Sequence, residues 1–167
     1  MKFTVAILVN NQFGVLNRVT SMFRRRQFNI TSLTVSETES EEFSRITVQS
    51  EGDEVKKQQL INQLYKLPDI VSVAELSSEE TVNRELLLVK LHNDPNTRAD
   101  VRSAIDAFEG KIVDYTKESQ TIQMVGDSRK IDNFIALMKE FGIMEICRTG
   151  VVSLQRGAST IRKVTNF

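Results

Sequence analysis

Thr4-Val5-Ala6-Ile7-Leu8-Val9-Asn10-Asn11-Gln12-Phe13-Gly14-Val15-Leu16 is the stretch that decides the fold. Its first six residues are a nearly continuous apolar run, the pattern of a central strand buried on both faces. Gly14 then opens a helix with Val15, Val19 and Met22 on one face and Leu16 and Phe23 beside them. Downstream, Ile30, Leu33 and Val35 mark a second strand, and Glu37-Thr38-Glu39-Ser40-Glu41 its turn. Ile46 and Val48 alternate with Arg45, Thr47 and Gln49, so a half-buried third strand follows. Asp53 caps a helix carrying Val55, Leu60, Leu64 and Leu67, stopped by Pro68. Ile70, Val71 and Val73 form a fourth strand. The order is βαββαβ.

After a polar hinge at residues 77–80 the order repeats. Residues 85–91 read as a strand, and Asp94-Pro95-Asn96 as a turn. Val101, Ile105 and Phe108 mark a helix that Gly110 ends. Residues 111–115 and 121–125 make a hairpin, and Ser128 starts a helix with Ile131, Phe134, Ile135, Met138 and Phe141. A last strand over 144–154 bends at Gly150. The expected class is α+β: two ferredoxin-like βαββαβ domains, 1–77 and 82–157, with antiparallel sheets covered by helices on one face. Residues 158–167 read as a flexible tail. The bare face of each sheet, to which Leu8, Val35 and Val48 are candidates, needs a cover, and a second copy would provide it.

The 167 residues hold 22 Lys and Arg against 22 Asp and Glu, so counterion release on a nucleic-acid backbone gains nothing. The strands Thr4–Val9 and Ile46–Gln49 carry no aromatic on which a base could stack, and no nucleic-acid partner is expected. The apolar run at residues 3–9 is too short to span a bilayer and is not framed as a signal peptide. No membrane association and a cytoplasmic location are therefore expected. Cys147 is the one cysteine and, beside Ile143–Ile146, reads as buried. The one histidine, His92, reads as a solvated turn residue, so neither a His/Cys metal site nor a nucleophile–histidine pair is expected. Acidic residues fall in polar turns and no glycine-rich phosphate loop occurs. Arg24-Arg25-Arg26 complements the negative end of the first helix dipole, or forms a docking surface for an acidic partner.

The Asn10–Leu16 loop places a helix N-terminus beyond the end of a central strand, where unpaired backbone N–H groups favour a carboxylate. Gly14 permits close approach of a ligand, and Asn11 offers an amide donor and acceptor. The segments Asn11–Val19, 23–35, 44–48, 63–67, 84–90, 110–114 and 148–154 together resemble the ACT-domain small regulatory subunits of acetolactate synthase, over residues 3–157. That resemblance implies no catalytic residues and no metal or cofactor in this chain. It implies a large catalytic subunit as partner, a transferase condensing two pyruvates with thiamine diphosphate, magnesium and FAD. It further implies a homodimer or higher homo-oligomer formed through ACT domains, with valine bound at their interface as feedback inhibitor. Asn11, Gly14, Val15 and Leu16 would then hold the ligand, completed by Asn29 and Ile30 of the neighbouring copy. Gln12-Phe13 departs from the family pattern. A small apolar pocket separates valine from leucine or isoleucine by only about 1–3 kcal/mol. The alternatives are a stand-alone amino-acid-binding ACT sensor acting on another enzyme or on transcription, and a small ferredoxin-like enzyme.

Overall fold

A computed structural model describes residues 1–77 and 79–162. Ser78, within the expected hinge, and residues 163–167 of the expected tail lie outside the described residues. The chain divides into two units, Met1–Val82 with Val151 onward, and Asn83–Gly150.

In the first unit, strands β1 (Lys2–Asn10), β2 (Ile30–Glu37), β3 (Phe43–Glu51) and β4 (Ile70–Leu76) form an antiparallel sheet in the order β2-β3-β1-β4. Helices α1 (Val15–Arg25) and α2 (Glu54–Leu64) cover one face. Alternation sets the two faces of β1: Phe3, Val5, Ile7 and Val9 join Val19, Phe23, Leu60 and Leu64 in the helix-covered core. Burying Phe23 and Leu64 stabilises this core by roughly 1.5–3 kcal/mol per side chain. Asp53 caps α2 as expected, accepting from Lys56 N–H at 2.8 Å. Val55, read as part of the buried face, is 65% exposed. Lys57 is instead buried there, its ammonium held between Glu54 at 2.7 Å and Glu75. These two carboxylates raise its pKa above the ordinary lysine value.

On the opposite face the residues read as bare divide, and the chain itself supplies part of the cover. Val48 lies in the helix-covered core, and Val35, paired with Ile46, shares that face. Leu8 does lie opposite, with Ala6, Ala74 and Leu76, and Ile161 of the same chain packs on it. Ile161, within the expected tail, is 8% exposed, and its carbonyl accepts from the buried Ser72 hydroxyl at 2.8 Å. Farther along this strap, Ser32 Oγ accepts from Val151 N–H, and Arg45 donates to the Ser153 carbonyl at 2.7 Å. Arg162 pairs with Glu39 at 2.7 Å and lies over the Phe43 ring.

The second sheet has the path β6 (Lys111–Tyr115), β7 (Ser119–Gly126), β5 (Thr81–His92) and β8 (Ile143–Arg148), and β9 (Val152–Gln155) follows in the first unit. Helices α3 (Arg98–Ala107) and α4 (Ser128–Met138) bury Val101, Ile105, Ile131, Phe134 and Met138 against it. The strand expected over 144–154 is thus two strands, parted at Gly150, whose φ of +81° favours glycine. Cys147 is exposed, not buried: it pairs with Leu88 on the face that the helices leave uncovered. At the end of α3 the left-handed residue is Glu109 (φ 58°), not Gly110. Gly110 follows because a Cβ there would stand 3.2 Å from Ile105 and 3.3 Å from Ile122. The same turn closes α1, with Gln27 at φ 58° and Phe28 N–H reaching back to Phe23 C=O at 2.9 Å. Glu85, buried on β5, is paired with Arg148, which also reaches Asp132 at 2.9 Å. Glu85 raises the Arg148 pKa further.

Candidate effector loop

Strand β1 ends where its neighbours can hold the loop that follows. Asn10 N–H donates to Asp69 C=O at 2.9 Å, and Asn11 N–H to Glu42 C=O at 2.8 Å. The Asn11 amide nitrogen donates to Glu41 C=O at 2.9 Å and to a Glu37 carboxylate oxygen at 3.0 Å. Its donor half therefore fastens the loop to the β2–β3 turn, and its oxygen is the part available to a ligand ammonium. Asp69 adds a second tie through an ion pair with Arg18 of α1 at 2.5 Å. These anchors, Glu37, Glu41 and Asp69, are what the sequence reading missed. They lie 26 or more positions from Asn11, and nothing local to the loop announces them.

Gly14 is the N-cap of α1, at φ 80° and ψ −1°. A Cβ built there would meet nothing within 4 Å, so that side of the loop is open. No side chain caps α1, and no acidic residue stands in its first turn. Each of the other helices has such a group: Asp53 on α2, Asp127 on α4 and Asp100 in the first turn of α3. The first intrahelical bond is Arg18 N–H to Gly14 C=O, which leaves Leu16 and Asn17 N–H without intrahelical acceptors. Those two donors, on the positive end of the helix dipole, suit a carboxylate.

The remaining expected residues fall in different places. Val15 is 4% exposed and belongs to the core, and its N–H already reaches Gln12 C=O at 3.3 Å, so its side chain is not at the loop surface. Leu16 is 41% exposed and Phe13 fully so, two apolar groups beside the open loop. Ile30 begins β2 opposite Ser50, which in turn pairs with Phe3 near the start of β1, and Asn29 just precedes it, at the far end of the unit from Asn11. A single chain does not bring them to the loop. β2 is an edge strand, however, with β3 its only partner in the sheet among the described residues.

The second unit repeats the junction in a closed form. Asn93 N–H donates to Glu118 C=O at 3.0 Å, as Asn11 does to Glu42, and its amide nitrogen reaches Thr116 C=O at 2.5 Å. Its amide oxygen accepts from Arg98 Nε at 2.8 Å, so both halves of this asparagine are taken. His92, at the end of β5, is exposed, as expected of a turn residue. Among the described residues, no group of three or more His, Cys, Asp and Glu could hold a metal ion, and no helix is long and apolar enough to cross a membrane.

Two family models match. That for an acetolactate synthase (AHAS) small subunit-like ACT domain covers residues 5–72, and that for the small subunit of acetolactate synthase covers residues 84–157. The chain is 45% identical to a probable acetolactate synthase small subunit of Archaeoglobus fulgidus, over 94% of this chain and 98% of that one. It is 40% identical to the acetolactate synthase small subunit of Haemophilus influenzae, over 96% of this chain and 99% of that one. The crystal structure of an acetolactate synthase small subunit from Thermotoga maritima superposes with a TM-score of 0.87 at 34% identity, covering 95% and 99% of the two chains. With an ACT-like first unit and matches along nearly its whole length, the chain belongs to the family of acetolactate synthase small subunits.

Proposed function

We propose that this chain is a regulatory subunit in branched-chain amino-acid biosynthesis: it activates a separate catalytic subunit of acetolactate synthase and makes it sensitive to valine. Valine sits between two copies, its carboxylate on the α1 N-terminus and its ammonium at the Asn11 amide oxygen. Asn29 and Ile30 of the second copy close the apolar side. The observation that carries the reading is the N-terminus of α1, which has neither a side-chain cap nor an acidic first turn, whereas each of the other α-helices has at least one of the two. An effector bound between copies favours the paired state, and so shifts whatever equilibrium depends on pairing. Thiamine diphosphate, magnesium and FAD belong to the catalytic subunit, which carries the condensation of two pyruvates.

The match of residues 84–157 to a small-subunit model favours this reading over a stand-alone amino-acid sensor. Mixing the chain with its catalytic subunit raises acetolactate formation, and valine then lowers it; Asn29→Ala blunts the response to valine. No change of rate on mixing overturns the reading. Full valine sensitivity in Asn29→Ala overturns the placement of the effector.

A further inference from the structure

The charges of this neutral chain are sorted within the first unit. At the end of α1 remote from the effector loop, Arg25 and Arg26 face Lys56 of α2 across a groove of about 570 Å³. Glu51 is its one carboxylate, Phe28 is its apolar element, and the other lining groups are neutral glutamine amides. The dipole of α1 accounts for basic residues in its own last turn. It does not account for Lys56, which comes from a different helix, nor for Arg26 being held on α2 by a hydrogen bond to Gln63 at 3.1 Å. Arg25 is steadied by its Nε–H to the Ser21 carbonyl at 3.4 Å. None of the three cations takes part in an ion pair among the described residues, whereas Arg18, Lys57, Lys130 and Arg148 all do.

We propose that this groove receives an acidic segment of the catalytic subunit, an inference that rests on the function proposed above. The groove is open and its cations are exposed, with no buried polar side chain to orient a small molecule. Unpaired charges in such a setting steer a protein partner and fix its register. The placement also bears on regulation. Helix α1 runs from Gly14 at the effector loop to Arg25 at the groove, about 16 Å at 1.5 Å per residue. Were effector binding to shift this one element, Arg25 and Arg26 would move relative to Lys56 of α2, and valine and the catalytic subunit would then be linked reciprocally.

The test measures affinity of the full-length chain for the purified catalytic subunit at several salt concentrations. Arg25→Glu/Arg26→Glu weakens association at least tenfold and flattens its salt dependence. Arg24→Glu, which makes the same change to the last turn of α1 without lining the groove, stays within twofold of the parent. A poly-glutamate peptide competes with the catalytic subunit for the parent chain but not for the double variant. Valine titration of the isolated double variant matches the parent and its thermal transition stays cooperative, lowered only as loss of two cations from the end of α1 requires, which separates a docking defect from misfolding. Equal loss in Arg24→Glu, or parental affinity in the double variant, overturns the groove as the docking site. Displacement by inorganic pyrophosphate as effectively as by the peptide overturns the protein segment in favour of a small anion. Failure of the parent chain to bind the catalytic subunit at all overturns the regulatory reading, and this inference with it.

Discussion

Gly14→Ala separates two places in which the same strain can appear. Gly14 holds φ 80°, and an L-residue with a Cβ adopts that region at a cost of about 1–2 kcal/mol. The Cβ itself meets nothing within 4 Å, so backbone strain is the whole of the cost in the free chain. If the anchors from Asn11 to Glu37 and Glu41 keep the loop in place, the strain appears as lost stability. The stiffer unfolded chain offsets about 0.4–1 kcal/mol of it, leaving a net loss on the order of 1 kcal/mol in urea denaturation. If the loop instead relaxes, the same effect on the unfolded chain leaves stability unchanged or raised by up to about 1 kcal/mol, and the strain returns when valine requires the left-handed turn. Affinity then falls by about 5- to 30-fold, the equivalent of 1–2 kcal/mol. Denaturation and calorimetric titration with valine on the same preparation read both terms. Gly14→Asn lies between Ala and Gly, because asparagine tolerates this region better than alanine. Unchanged stability together with unchanged affinity in Gly14→Ala refutes the argument.

Ile161→Ala empties a contact with Ala6, Leu8, Ala74 and Leu76, and chemical denaturation registers a loss of about 2–3 kcal/mol; a loss below a few tenths would mean that the strap does not hold the sheet. Lys57 has a raised pKa, so the stability from its pairing with Glu54 and Glu75 is complete below the ordinary lysine value and is lost as pH rises through the raised one. Lys57→Met therefore flattens the alkaline limb of a stability-against-pH curve, and an identical limb in both proteins would contradict that assignment.

The periodic part of the fold was legible in the sequence. Strand alternation and helix spacing report local geometry, and βαββαβ emerges twice with the Asp53 cap in place. Contacts distant in sequence were not. Val48 and Leu8 look alike as apolar strand residues, but pairing sends Val48 beneath the helices and Leu8 beneath Ile161. Cys147 looked buried because its neighbours are apolar, yet alternation on β8 turns it to the uncovered face. The loop at Asn11–Gly14 was legible as a glycine-opened helix start. What was hidden is that Asn11 uses its donors on the β2–β3 turn, and that Asn93 forms the same anchor in a loop closed by Arg98.

The strap has a consequence for the order in which the chain is made. The first unit begins at Met1 and is finished only by residues after Val151, with the whole of Asn83–Gly150 in between. A ribosome adding about 5–20 residues per second therefore leaves Ala6, Leu8, Ala74 and Leu76 without Ile161 for several seconds or more. The amino-terminal sheet emerges first and is completed last, so it is the nascent chain, rather than the finished protein, that most needs shelter from other apolar surfaces.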